Sequence, residues 1–238
     1  MIEISALTKS FGARGVLRGV DLSVRPGRVT ALVGSNGAGK TTLIKCLLGL
    51  VRADSGEIRI DGARVGDDPA YRATIGYASQ MSRFPEHLTA REVTRILIDL
   101  RGTSAVIDWE LFERLALAPH LDTRVRALSG GTRQKLAVAL AFLFAPRVLV
   151  LDEPSAGLDP MANAVLKDKI LSERADGKTV LVTSHVMSEL EELADDIVFL
   201  RAGRVGYAGS VQKLRVYTGH PHLERAIASM MAREAVCA

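Results

Sequence analysis

The sequence predicts an α/β fold: a mainly parallel sheet, an antiparallel β part before it, and a helical insertion. Three observations lead there. The glycine-rich stretch Gly34-Ser-Asn-Gly-Ala-Gly-Lys-Thr-Thr42 lies between the apolar run Val29–Val33 and a helix-like one, Leu43–Leu48. Val148-Leu-Val-Leu151 is apolar without a break, as a parallel strand buried on both faces would be. From about Phe84 to Leu128 the apolar period changes from that of a strand to that of a helix.

The elements follow in chain order. Ile2 and Ile4 begin an alternating strand, Leu17 to Val24 alternate again, and Arg25-Pro-Gly27 marks a turn. Glu57-Ile-Arg-Ile60 reads as a short strand closed by Asp61-Gly62. Thr89 with Glu92 forms a capping box, and Val93, Ile96, Leu97 and Leu100 then recur at helical spacing up to Gly102. A second helix is expected around Trp109 to Leu117, and Ser129-Gly-Gly131 opens an apolar helix running through Leu136 to Phe144. Thr179-Val-Leu-Val-Thr183 is another buried strand, and Ile197–Leu200 with Arg204-Val205 predicts a closing hairpin.

Gly34, Gly39, Lys40 and Thr41 fit the G-x-x-x-x-G-K-[ST] phosphate loop in its confirming context of strand, turn and helix. Glycines allow backbone N–H groups to approach phosphate oxygens, and the helix start adds its positive dipole end. Lys40 supplies a charge for the β- and γ-phosphates, and Thr41 a hydroxyl for Mg²⁺. The chain is therefore expected to bind a nucleoside triphosphate. Ser129 is a natural N-cap whose following glycines expose N–H groups, so it forms a second anion-binding helix start or simply a capped helix. Asp152 and Glu153 follow a buried strand at its carboxyl end, where α/β sheets place ligands, and Ser184 and His185 follow another.

Composition narrows the classes. In 238 residues, 47% are apolar and 24% charged, ordinary values for a globular chain with a substantial core. Aromatic residues are only 5%, with one tryptophan, which argues against base-stacking platforms for nucleic acid. The net charge of +4 is scattered, so a solvated basic surface is the simpler reading. Cys46 and Cys237 make no disulfide framework, which fits a reducing compartment. Acidic Glu3 and the absence of a long apolar run give no signal peptide and no span of about 20 residues. A soluble or peripheral chain is expected.

The assembled motifs resemble the nucleotide-binding subunit of ATP-binding-cassette (ABC) transporters. The resemblance spans residues 1 to about 220, with a short helical tail over 221–238. It rests on the phosphate loop, Gln80 in Ile75-Gly-Tyr-Ala-Ser-Gln80, Leu128-Ser-Gly-Gly131, Leu149-Val-Leu-Asp-Glu-Pro154, Gly157-Leu-Asp159 and His185, in the family's order. It implies a RecA-like P-loop NTPase core and ATP with Mg²⁺ as cofactors. Phe11 would stack on adenine, while Gly34, Ser35, Asn36, Gly37, Ala38, Gly39, Lys40, Thr41 and Thr42 would hold the phosphates. Ser35 stands where many members carry proline, which leaves the backbone donors intact. Thr41 and Gln80 would ligate Mg²⁺, with Asp152 acting through water. Glu153 would be the general base, and His185 would contact the γ-phosphate.

Ser129, Gly130 and Gly131 would meet the nucleotide of a second copy or paired ATPase subunit, with Asp159 across that interface. The resemblance also implies an integral membrane permease as partner, no nucleic acid, and a peripheral place on the cytoplasmic face of the cell membrane. Ser155–Pro160 and Thr183–Val186 look most like type-2 exporters, and Gln80–Leu88 like the ATPase of copper-linked nitrous oxide reductase maturation. A soluble superfamily member acting on nucleic acid or ribosomes is the alternative; such relatives usually carry long coiled coils or two cassettes. In the tail, Leu223, Ile227, Met230 and Met231 have helical spacing. With His220, His222 and Cys237 the methionines could be read as copper ligands, although packing explains them more simply.

Overall fold

The computed structural model describes residues 1–66, 68–102 and 106–235. Two sheets form. The first is antiparallel, in the order β2-β1-β4-β5, from β1 (Ile2–Phe11), β2 (Arg14–Val24), β4 (Ser55–Ile60) and β5 (Ala63–Arg64). The second runs β10-β9-β3-β8-β7-β6, from β3 (Arg28–Val33), β6 (Ile75–Ala78), β7 (Val148–Asp152), β8 (Thr179–Thr183), β9 (Asp196–Arg201) and β10 (Arg204–Ser210). All neighbours in it are parallel except β9 and β10. Those two form a hairpin across Ala202 and Gly203, both at positive φ, as a right-twisted two-residue turn requires.

The unbroken apolar run of β7 has a direct cause. Val148 and Val150 face a layer holding the antiparallel sheet and α1 (Lys40–Leu47), while Leu149 and Leu151 face the helices on the other side. That second layer contains α4 (Gly130–Phe142), α5 (Pro160–Ala175), α6 (Met187–Leu193), α7 (Val211–Thr218) and α8 (Leu223–Ala235). Burying both faces of the sheet gives the core its main driving force, at about 25 cal/mol per Å² of apolar surface.

Between β6 and α4 the chain forms α2 (Ala90–Arg101), α3 (Glu110–Arg114) and two 3₁₀ turns. Thr89 caps α2 in a complete capping box with Glu92, and Gly102 ends it with φ 81°. The second helix is shorter than the Trp109–Leu117 span predicted from its apolar residues. Ala116 turns to φ 51°, which breaks the helix one residue after its C-cap at Leu115. Trp109 instead packs edge-on against Phe112, ring centroids 5.0 Å apart.

After Gly219, α8 lays Leu223, Ala226, Ile227 and Met230 into the helical side of the core. Met230 is therefore a packing residue, and Cys237 lies outside the described residues. Among the described residues no group of three or more His, Cys, Asp or Glu could hold a metal ion. No helix among them is long and apolar enough to cross a membrane.

Close packing of β6 on α4 is set by Gly76, where an added Cβ would lie 2.7 Å from Pro146 Cγ and collide with the Ala141 carbonyl. Gly76→Val should therefore force the strand away from the helix and cost about 1–3 kcal/mol. Thermal denaturation reads this as a lowered Tm; an unchanged Tm would show that the two elements adjust freely.

Candidate nucleotide site

Parallel register brings the motifs together. Ala31 of β3 pairs with Val182 of β8, Val182 with Leu151 of β7, and Leu151 with Ala78 of β6. Four neighbouring strands thus end at one edge, each about 4.8 Å from the next. Beyond their ends come the phosphate loop, Ser184-His185, Asp152-Glu153 and Gln80 respectively.

The loop leaves β3 through Gly34 (φ 157°) and enters α1 through Gly39 (φ 109°). At Gly39 a Cβ would come within 2.9 Å of Leu17 Cδ2 and 3.1 Å of the Val16 carbonyl, so only glycine fits there. Ser35, Asn36 and Gly37 are exposed at the turn, Ala38 is buried, and Thr41 and Thr42 lie in the first turn of α1. Lys40 Nζ reaches back to donate to the Gly34 carbonyl at 2.6 Å and the Ser35 carbonyl at 3.2 Å. Burial pushes this ammonium down from its ordinary value, against the pull of Glu153 and Asp152. A half-buried cation held on carbonyls beside the N-terminus of α1 is poised for an anion with several negative charges.

At the end of β7, Asp152 Oδ1 accepts from the Thr183 hydroxyl at 2.7 Å, and that hydroxyl accepts from the Glu153 N–H at 3.0 Å. The same N–H also reaches the Thr183 carbonyl at 3.2 Å. These contacts hold Glu153 at φ 52°, a left-handed conformation that costs a non-glycine residue roughly 1–2 kcal/mol. The Glu153 carboxylate accepts from the His185 N–H at 3.1 Å and lies 3.3 Å from His185 Nε2. Its side chain is 11% exposed whereas His185 is 58% exposed, so the imidazole is the outer of the two. Burial raises the Glu153 carboxyl above the usual range; the His185 N–H and charge oppose this, while Asp152 adds to it.

Gln80 lies two residues past β6 on the same edge and is exposed, and Phe11 is exposed at the tip of the β1–β2 hairpin. Ser129, Gly130 and Gly131 form the start of α4, with Ser129 Oγ accepting from the Thr132 N–H at 3.1 Å. Their neighbours differ from those of the phosphate loop. Gly131 abuts the Gly157 carbonyl, while Gly34 and Gly39 abut Leu200, Leu17 and Val16. Asp159 caps α5 through the Ala162 N–H at 2.9 Å.

Sequence reasoning missed two contributors. The sequence places Thr183 at a strand end and in the exporter-like stretch Thr183–Val186 but gives it no part in the site, yet its hydroxyl fixes both carboxylate residues. Glu189 gathers the Ser155 hydroxyl at 2.7 Å, the Ser184 hydroxyl at 3.2 Å and the Asn163 amide at 2.7 Å. Only a glutamate four residues after His185 marked it in the sequence.

Comparison with known proteins agrees with this geometry. The family model described as ABC transporter matches residues 17–156, more than half of the chain. The chain is 34% identical over 225 residues to the lantibiotic transport ATP-binding protein SrtF of Streptococcus pyogenes, covering 94% of each. It is 34% identical over 248 residues to the Nod factor export ATP-binding protein I of Rhizobium meliloti, covering 98% of this chain and 74% of that one. To the daunorubicin resistance ATP-binding protein DrrA3 of Streptomyces coeruleorubidus it is 37% identical over 229 residues, covering 94% and 72%. A solved ATP-binding subunit of an ABC transporter superposes with a TM-score of 0.90 at 31% identity, covering 97% of this chain and 99% of that one. A dimeric bacterial ABC transporter cassette shares the fold, with a TM-score of 0.79 at 24% identity over 89% and 99% of the two chains. With the phosphate loop, the paired carboxylates and His185 gathered on one sheet edge, this chain belongs to the ABC transporter family and is one of its ATPase cassettes.

Proposed function

We propose that this chain is the ATP-hydrolysing subunit of an exporter-type transporter, pairing head to tail with a second cassette and driving a membrane-spanning partner. One observation carries the reading. The phosphate loop and the capped start of α4 abut different parts of the chain, Leu17, Val16 and Leu200 for the first and Gly157 for the second, so in this reading each is one half-site. Two copies in head-to-tail arrangement complete both. The relatives named for lantibiotic transport, Nod factor export and daunorubicin resistance support the exporter class.

In this reading Lys40 and the N–H groups of residues 34–42 hold the phosphates, and Phe11 takes the adenine. The Thr41 hydroxyl and the Gln80 amide oxygen would hold Mg²⁺, with the Asp152 carboxylate acting through water; these are all oxygen donors, which suits that ion. Magnesium bound there would neutralise charge between the β- and γ-phosphates. Glu153, held under His185, accepts a proton from the attacking water, and His185 donates toward the γ-phosphate. Loss of the γ-phosphate removes the contacts to the other chain's Ser129–Gly131, and the pair opens.

A cleft of about 280 Å³ is lined by Tyr77, Phe84, Leu97, Arg101 and Phe144, and by Ser79, which directly precedes Gln80. Met81 and Leu100 are exposed apolar residues in the same segment of chain. This cleft lies between the helical insertion and the sheet, so a partner seated there on the cytoplasmic side of the membrane would sense Gln80. The narrower link to nitrous oxide reductase maturation rests on residues 80–88, which border the cleft.

Ser129→Arg tests the pairing. It should leave the affinity for a fluorescent ATP analogue at the wild-type level and reduce turnover to background, because it blocks only the half-site offered to the other chain. If affinity and turnover fell together, Ser129 would belong to its own chain's site.

A further inference from the structure

Resting on the head-to-tail reading, we propose that Lys135 is a positioning residue. It makes the start of α4 and the loop from Pro154 to Asp159 a single body, so that both elements a chain offers its partner engage together. Three contacts build that body. Gly131 approaches so closely that a Cβ there would lie 2.9 Å from the Gly157 carbonyl. The buried Gln134 amide donates to the Pro154 carbonyl at 3.0 Å. Lys135 Nζ lies 2.6 Å from Asp159 Oδ2. Residues 131, 134 and 135 are spaced i, i+3 and i+4, on one face of α4. They grip the loop at its beginning, middle and end.

The pairing also redefines Asp159. Its Oδ2 holds Lys135, and its Oδ1 accepts from the Ala162 N–H at 2.9 Å. Both carboxylate oxygens are engaged within the chain, so Asp159 shapes the surface given to the partner through the loop backbone. The opposite side of the loop is fixed independently, by Ser155 on Glu189 at 2.7 Å. Gly131 and Gln134 hold the loop at Gly157 and Pro154, while Lys135 ties its far end, at Asp159, to the helix.

The test is steady-state phosphate release by the full chain at increasing protein concentration, alongside titration with a fluorescent ATP analogue. Lys135→Met should keep nucleotide affinity unchanged. It should raise the protein concentration for half-maximal turnover on the order of ten-fold, because an exposed ion pair typically contributes about two- to five-fold and a dimer contains two. Lys135→Arg should restore the wild-type curve. Asp159→Asn retains a capping oxygen but not the ion pair, so it should match Lys135→Met, with the double variant no worse than either. A wild-type concentration dependence in Lys135→Met, or effects that multiply in the double variant, would overturn the proposal. Ser129→Arg measured in parallel separates the readings. If it keeps turnover, the head-to-tail arrangement falls and the strut with it; if it loses turnover while Lys135→Met behaves as wild type, the strut alone falls.

Discussion

Glu153→Gln is expected to retain ATP and lose turnover by about 10²–10⁴-fold, the usual contribution of a positioned base. Glutamine preserves the shape and the acceptor for the His185 N–H but takes no proton. In the proposed mechanism opening follows hydrolysis, so the variant should accumulate as an ATP-bound pair, read by size-exclusion chromatography with light scattering in ATP and Mg²⁺. Wild-type turnover in the variant would remove Glu153 from the chemistry. Burial raises the Glu153 carboxyl, so its charged form is disfavoured in the folded chain. That penalty is absent below the ordinary glutamate range and is complete once pH exceeds the raised value. At neutral pH the glutamine variant should therefore melt at the same temperature as wild type or higher. If Glu153 is the base, as proposed, the acid limb of wild-type turnover should lie above the ordinary glutamate range, since that carboxyl must be deprotonated to act.

Lys40→Ala should abolish tight nucleotide binding. Lys40 is the cation seated within the loop, bonded to the Gly34 and Ser35 carbonyls. Its removal leaves those carbonyls facing a polyanion with no charge between them. Hydrogen bonds to charged groups contribute about 1.5–3 kcal/mol each, so losing two or more weakens binding by at least a hundred-fold. Equilibrium titration with a fluorescent ATP analogue measures it, and unchanged affinity would remove the phosphate-loop assignment.

Local features were the legible ones. The Thr89–Glu92 capping box, the Ser129 cap and the double-sided burial of Val148–Leu151 each depend on residues a few positions apart, so spacing alone reveals them. Strand order was not legible, because β3 acquires β8 and β9 as neighbours from more than a hundred residues away. Polar residues that act at long range were equally hidden. No motif marks Lys169 in the sequence, yet its side chain is 5% exposed and bonds Asp108 at 2.7 Å and Glu110 at 2.6 Å from the helical insertion. Lys135 and Glu189 carry the same lesson nearer the site. Their type is common on helix surfaces, and only the folded chain shows which loop each one holds.

The β9–β10 turn gives the phosphate loop a second boundary. Gly203 donates to the Ala38 carbonyl at 3.0 Å and accepts from the Arg18 N–H at 2.8 Å, and Leu200 abuts Gly34. A stretch that sequence places at residues 34–42 is thus buttressed from residues 200–203, and the β1–β2 hairpin that carries Phe11 rests on the same turn. The shortest autonomous cassette must therefore run well past its last recognisable motif at His185. A fragment cut after that histidine would contain every diagnostic residue and still lack the backing that gives the loop its shape.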